Sequence, residues 1–265
     1  MSTGTYAPKP GAAPVGRMIA AQTALETRML LRNGEQLLLT VIIPSLLLVL
    51  FSTVDIITVP VPATGGADEA VDFLAPGILA LAVLSTAFTG QAIATGFERR
   101  YGVLKRLGAS PLPRWALMTS KTLAVLVTEV LQIVLLTAIA LGLGWSPQGA
   151  TFTGVLSVLL LLVLGTAAFS GLGLLMAGTL KAEATLAAAN LVFLLLLVGG
   201  GVVVPLEKFP DAARQVLELL PISALSDGLR AVLQNGAAMP WGDALTLAVW
   251  AVLGLGAAAK FFRWE

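Results

Sequence analysis

The sequence predicts an all-α, polytopic membrane protein with six transmembrane helices, and three observations predict it. Apolar residues make up 57% of the chain and charged residues only 12%, against roughly 25% charged in an ordinary soluble domain. The charges are bunched, which leaves uncharged runs close to the about 20 residues a helix needs to cross a bilayer core. Within those runs, stretches such as Val158-Leu159-Leu160-Leu161-Leu162-Val163 do not alternate. Barrel strands would alternate, so the spans are helical.

The first span is expected over 36–54, between Glu35 and Asp55, with Pro44 placed to kink it. The second covers 73–97, between Asp72 and Glu98. The third covers 115–143 and carries Lys121 and Glu129 inside it. Turn-forming residues from Gly142 to Gly149, including Pro147, divide the next long apolar gap. A fourth span then covers 152–180, a fifth 184–204 and a sixth 244–259. Residues 1–15, rich in Pro, Gly, Ala and Thr, read as a disordered cytoplasmic tail with no apolar core of a signal peptide. Residues 16–265 form one membrane domain.

Basic residues set the orientation. They crowd the segment before the first span (Lys9, Arg17, Arg28, Arg32) and the connection after the second (Arg99, Arg100, Lys105, Arg106, Arg114). Lys181, Lys260 and Arg263 follow the same alternation, the connections near Asp55 and Trp145 hold none, and the long outer segment holds three, Lys208, Arg214 and Arg230. Both termini are therefore expected in the cytoplasm. The first outer loop is acidic, with Asp55, Asp68, Glu69 and Asp72. Trp115, Trp145, Trp241 and Trp264 fall near span ends, where interfacial anchors belong.

Three segments are neither span nor plain loop. Over 16–33, Met18, Ala21, Leu25 and Met29 recur at helical spacing, with Gln22, Glu26 and Arg32 on other faces. This predicts an N-terminal amphipathic helix on the cytoplasmic interface. After Phe97, Tyr101-Gly102 can end the second span, and Val103, Leu104 and Leu107 oppose Lys105 and Arg106 on a short cytoplasmic helix. Gly108 can end that turn, and Ser110 with Pro111 is expected to cap the third span. Over 204–241, Phe209, Ala213, Val216, Leu217 and Leu220 repeat at helical spacing, then Leu225, Leu229 and Val232 after Pro221. These predict an outer helical hairpin that lies on the outer leaflet, dips into it, or caps the bundle.

Several chemistries are excluded or lack residues to rest on. The chain has no cysteine and no histidine, which removes thiolate metal sites, disulfides and the commonest general base. No G-x-x-x-x-G-K-[ST] loop is present, so this chain is not expected to hydrolyse ATP by that route or to be an enzyme. A net charge of +1 gives no reason to expect a nucleic-acid partner. Gly171-Leu172-Gly173 and Gly254-Leu255-Gly256 sit inside apolar spans, where small residues let helices approach.

The intramembrane polar residues are the other candidates. Glu129 falls about mid-membrane, where a charge costs about 2.5–3.5 kcal/mol on insertion scales. Lys121, Glu129 and Gln132 share one broad stripe of the third span, which should face protein or a pathway. Lys121 is too far along the helix to pair with Glu129 and is expected to snorkel to the cytoplasmic interface. Gln91 and Asn190 are the candidate partners of Glu129 from other spans.

At the basic loop and the outer hairpin the chain resembles the permease subunits of ABC type-2 exporters. Glu98, Gly102, Leu104, Leu107, Pro111, Leu112 and Arg114-Trp115 stand in the family's places, as does Lys121, with Ser120 in place of a usual Gly. Pro205, Phe209-Pro210, Leu220-Pro221 and the run from Leu225 to Arg230 match in the outer segment. The chain departs from the pattern where Arg99-Arg100 replaces a second acidic residue beside Glu98. The resemblance covers 16–265. It implies a half-transporter in the bacterial cell (inner or plasma) membrane, paired with a second copy or a paralogue and surrounded by lipid. Two separate ATPase subunits would hold ATP and Mg, and this chain would bind no cofactor. Residues Glu98 to Leu107, with Pro111, would form the coupling loop, with Leu104 and Leu107 as apolar anchors on the ATPase and Arg99, Arg100, Tyr101, Lys105 and Arg106 around them. The subgroup it resembles exports drugs and antibiotics, hence a hydrophobic or amphiphilic cargo. A polysaccharide-exporting permease, or a secondary transporter or channel without an ATPase, are the alternatives.

Overall fold

A computed structural model describes residues 11–34, 38–53, 67–202 and 206–263. Every regular element among them is helical. The chain opens with α1 (Val15–Arg32), then a π turn over Leu38–Ile42 that leads into α2 (Ile43–Thr53). The second span is built in three pieces: α3 (Ala67–Val83), a π turn over Leu84–Gly90, and α4 (Gln91–Arg100). The short α5 (Val103–Gly108) follows, then the long α6 (Arg114–Gly142), α7 (Phe152–Thr179) and α8 (Ala182–Gly199). The outer hairpin is α9 (Asp211–Leu217) and α10 (Pro221–Leu233), and α11 (Trp241–Phe261) ends the bundle.

Five of these helical runs are long and apolar enough to cross a membrane: Val71–Arg100, Arg114–Gly142, Phe152–Thr179, Ala182–Gly199 and Trp241–Phe261. The expected first span is the exception. Its described part is a 5-residue π turn and an 11-residue helix. At 1.5 Å per residue that reaches about 24 Å, short of the about 30 Å hydrocarbon core. Its flanks, with Glu35 and Asp55, lie outside the described residues. So do the first ten residues of the expected tail, Pro205 and Trp264.

The second span is the centre of the bundle. In its most apolar window 83% of residues are buried, against 17% in that of Ala182–Gly199. Leu74, Ile78, Leu81 and Leu84 are fully enclosed by the other helices. Pro76 lies within α3, where it cannot donate a backbone hydrogen bond. The π turn then adds one residue per hydrogen-bonded ring, so Leu84–Gly90 departs from the α-helical register before α4 resumes it.

The glycine pairs seen in the sequence lie at close helix crossings. A β-carbon on Gly171 would come within 2.5 Å of the Leu255 amide nitrogen, so α7 and α11 touch backbone to backbone. On Gly173 it would reach 2.9 Å from the Phe88 carbonyl, so the π turn also rests directly on α7.

The outer hairpin separates into two behaviours. α9 stays at the surface, whereas α10 buries Leu225, Leu229 and Val232 among α3, α7 and α11. Of the three expected placements, α10 adopts the packed cap. Arg230 fastens it: its Nη2 donates to the Val202 carbonyl at 2.8 Å, its Nη1 pairs with Asp227, and its guanidinium lies 4.0 Å from the Phe73 ring centre.

At the opposite end, α1 packs along α6 with its polar side turned inward. Gln22 and Glu26 are buried, while Leu25 and Met29 are about half exposed. An apolar outer face is what an interfacial helix presents to lipid. Ser110 does not cap the third span as expected. α6 starts at Arg114 after Pro113, and Ser110 closes α5 instead. Two prolines, Pro111 and Pro113, hold the intervening chain extended.

Candidate functional site

The coupling-loop residues form a folded unit. Gly102 takes the left-handed conformation (φ 72°) that lets the chain leave α4 and enter α5. Ser110 Oγ donates to the Leu107 carbonyl at 2.6 Å. Leu104 is fully buried in a cluster with Leu112, Ala116, Leu117 and Phe262, and Leu107 packs against the same cluster. This corrects the expectation that Leu104 anchors a partner: it faces inward and holds α5 to its own bundle. The exposed side of α5 carries Val103, Lys105 and Arg106, with Tyr101 beside it at 68% exposure. Tyr101 stacks on Phe97, with ring centres 6.1 Å apart. Arg99 Nη2 donates to the Leu180 carbonyl at 2.5 Å, and Arg100 pairs with Glu183. The two arginines thus join the end of α4 to the turn between α7 and α8. Pro111 follows α5 in the extended connection to α6.

Behind α5 lies a buried ion cluster. Lys121 Nζ is 3.0 Å from Glu26 Oε2 and 2.7 Å from Glu98 Oε2. Gln22 Nε2 donates to Glu26 Oε1 at 2.8 Å. Lys121 is only 4% exposed, so it does not snorkel to the interface as expected. Two carboxylates from other elements reach it first. Charges removed from water must be paired, and here one ammonium ties α1, α4 and α6 together. Glu98 accordingly points into the bundle, with 14% side-chain exposure, and not toward a partner.

Glu129 and Gln132 of α6 are enclosed too. Glu129 meets neither Gln91 nor Asn190. Its partner is Thr166 on α7, whose Oγ1 lies 2.5 Å from Glu129 Oε2. Gln91 accepts from Ser170 Oγ at 2.6 Å, and Asn190 Nδ2 donates to the Leu186 carbonyl at 3.0 Å. Gln132 accepts from Thr86 Oγ1 at 2.9 Å and donates to the Thr40 carbonyl. These contacts join α6 to the π turns on either side of it.

A cavity of about 590 Å³ opens between the first apolar helix, the second span and α8. Pro44, Leu81, Ile93 and Phe193 supply apolar walls. Asn33, Thr40, Ser85, Thr89 and Asn190 supply its polar groups. Thr89 Oγ1 is buried with no hydrogen-bond partner among the described residues. Of the intramembrane candidates named from sequence, only Asn190 lines this space; Gln91, Lys121, Glu129 and Gln132 do not. The polar lining residues that sequence reasoning missed are Asn33, Thr40, Ser85 and Thr89. A signal existed: Ser85, Thr86 and Thr89 interrupt an otherwise apolar span within one turn and a half.

A helical bundle with a buried charged node at one end and a mostly apolar cavity between spans defines a polytopic membrane protein of transport type. The chain belongs to the ABC-2 family of transporter proteins, whose family model matches residues 13–260. No curated protein matches it. It is thus the membrane subunit of an ABC transporter, of a family that works with an ATPase subunit.

Proposed function

We propose that this chain is the permease half of an ATP-driven exporter in a bacterial cell membrane, with six spans and both termini cytoplasmic. It hydrolyses no ATP itself. ATP and Mg bind two separate ATPase subunits, which dock on the exposed side of α5. The cargo is a hydrophobic or amphiphilic compound. The observation that carries this reading is the cavity of about 590 Å³, mostly apolar with a few hydroxyls and two amides. Such a lining suits an amphiphile. Its wall α8 is the least buried of the long helices, and a second permease copy or paralogue placed there would close the pathway.

The test is copurification of the tagged chain with a soluble ATPase, followed by transport in vesicles. Efflux that stops when the ATPase is made hydrolysis-deficient supports the proposal. Efflux driven by an ion gradient, with no ATPase attached, would identify a secondary transporter instead.

A further inference from the structure

A second opening lies outside the bundle, away from the cavity. It is a groove of about 750 Å³ between α1 and the flank of α6. Its base is made by the small residues Ala20 and Ala24, and its walls by Leu31, Leu123 and Val127. Leu31, Leu123 and Val127 are 39%, 38% and 47% exposed. One stripe of α1 continues from the alanines to Arg28 and Arg32, which line the same groove. Neither arginine has a side-chain partner among the described residues. Glu26 is on the opposite face of α1 and is already held by Lys121. The site therefore offers two guanidinium groups, without a carboxylate partner among the described residues, at the end of an open aliphatic slot. A water-soluble anion would satisfy the arginines but leave the slot exposed, and a neutral acyl chain would do the reverse. A molecule with both parts satisfies both.

We propose that this groove binds an anionic phospholipid of the inner leaflet. One acyl chain lies along Leu123 and Val127, and the headgroup phosphate is held by Arg28 and Arg32. The inference rests on the proposed orientation, which places α1 at the cytoplasmic interface. Arginine suits the role because its planar fork meets phosphate oxygens two at a time. Basic pockets beside membrane helices recognise anionic headgroups in this way. The bound lipid would wedge against α1, whose other face carries Glu26 of the buried ion cluster, so lipid composition would reach the coupling end of the protein.

The test reads lipid retention on the purified full chain by native mass spectrometry, so it depends on neither transport nor topology. Phosphatidylglycerol and phosphatidylcholine with the same acyl chains are the probes. Preferential retention of phosphatidylglycerol is expected. R28Q combined with R32Q should weaken it about thirty-fold, at ~1 kcal/mol per arginine and tenfold per 1.4 kcal/mol. Ala24→Phe keeps both arginines but fills the slot, and should lower retention as well. K208Q combined with R214Q removes equal charge from the outer hairpin and should change nothing. Equal retention of the two lipids would overturn the proposal, as would wild-type retention by either groove variant or an equal loss in the outer-hairpin control. Because the chain has no cysteine, Val127→Cys gives a clean crosslinking site. A dimer linked through it would mean that a second copy covers the groove, which also overturns the proposal. Reporter fusions that put α1 outside would refute the orientation separately, without altering what the purified chain retains.

Discussion

Lys121 is the residue on which most of the cytoplasmic end depends. It is 3.0 Å from Glu26 and 2.7 Å from Glu98, and almost completely buried. Lys121→Met leaves two buried carboxylates facing each other without a cation. Removing one partner of a buried pair costs about 3–5 kcal/mol. A large drop in the thermal midpoint of the detergent-purified protein is expected. Adding Glu26→Gln and Glu98→Gln should recover much of it, because no charge is then left alone. Glu129 is a different case. Thr166 Oγ1 touches both Glu129 Oε2 and the Leu162 carbonyl, yet a hydroxyl carries one proton. An amide at position 129 can supply a second one. Glu129→Gln is therefore expected to stay within about 1 kcal/mol of the parent in stability and, lying outside the cavity, to transport normally. Thr166→Val should lose about 1–3 kcal/mol by leaving the acid without its partner. Lost efflux in Glu129→Gln at normal stability would place residue 129 in the pathway after all.

The short helix α5 separates two roles that its sequence superimposes. Leu104→Asp would bury a carboxylate among Leu112, Ala116 and Phe262, at a cost of several kcal/mol if unpaired. Its expected outcome is a poor yield of monodisperse protein, which says nothing about docking. Tyr101→Ala with Lys105→Glu and Arg106→Glu alters only exposed positions. That variant should fold normally and fail to copurify with the ATPase. Full copurification would move the docking surface elsewhere. The period of Val103, Leu104 and Leu107 made an apolar face legible, but not its direction. A short stripe fits a partner and a parent bundle equally well, and what turned Leu104 inward is Phe262, 158 residues away in sequence. The same limit applies to α1. Its amphipathic spacing was readable, whereas the inward turn of Gln22 and Glu26 depends on Lys121, a residue of another element.

For the whole molecule, five of the six expected spans were legible because a bilayer sets a minimum length for every crossing, whereas the first is described only in part. The starts of α6, α7 and α8 lie within two residues of those expected from the charge gaps. The π turns were not legible. They touch α6 and α7, through Gln132 and Gly173, contacts between elements far apart in sequence. Of the cavity, only the polar interruption at Ser85 and Thr89 was legible, since its walls come from separate stretches of the chain. Topology remains the broadest prediction. Reporter fusions after Gln148 and Gln234 should report outside, and fusions after Lys105 and Glu183 inside. A cytoplasmic signal at Gln148 would contradict the crossing of both α6 and α7.

The polar partners of α6 also carry an order in time. Glu26 and Glu98 precede Lys121 in the chain, whereas Thr166 follows Glu129. A ribosome therefore delivers both carboxylates before the lysine arrives, so that charge can be neutralised as soon as α6 reaches the translocon. Glu129 has no such mate ready. A lone carboxyl in lipid is costly, so α6 is expected to stay at the protein-conducting channel until α7 emerges, which crosslinking of stalled chains to the channel would check. Biogenesis of this fold thus favours the release of α6 and α7 as a pair, the second helix completing the membrane insertion of the first.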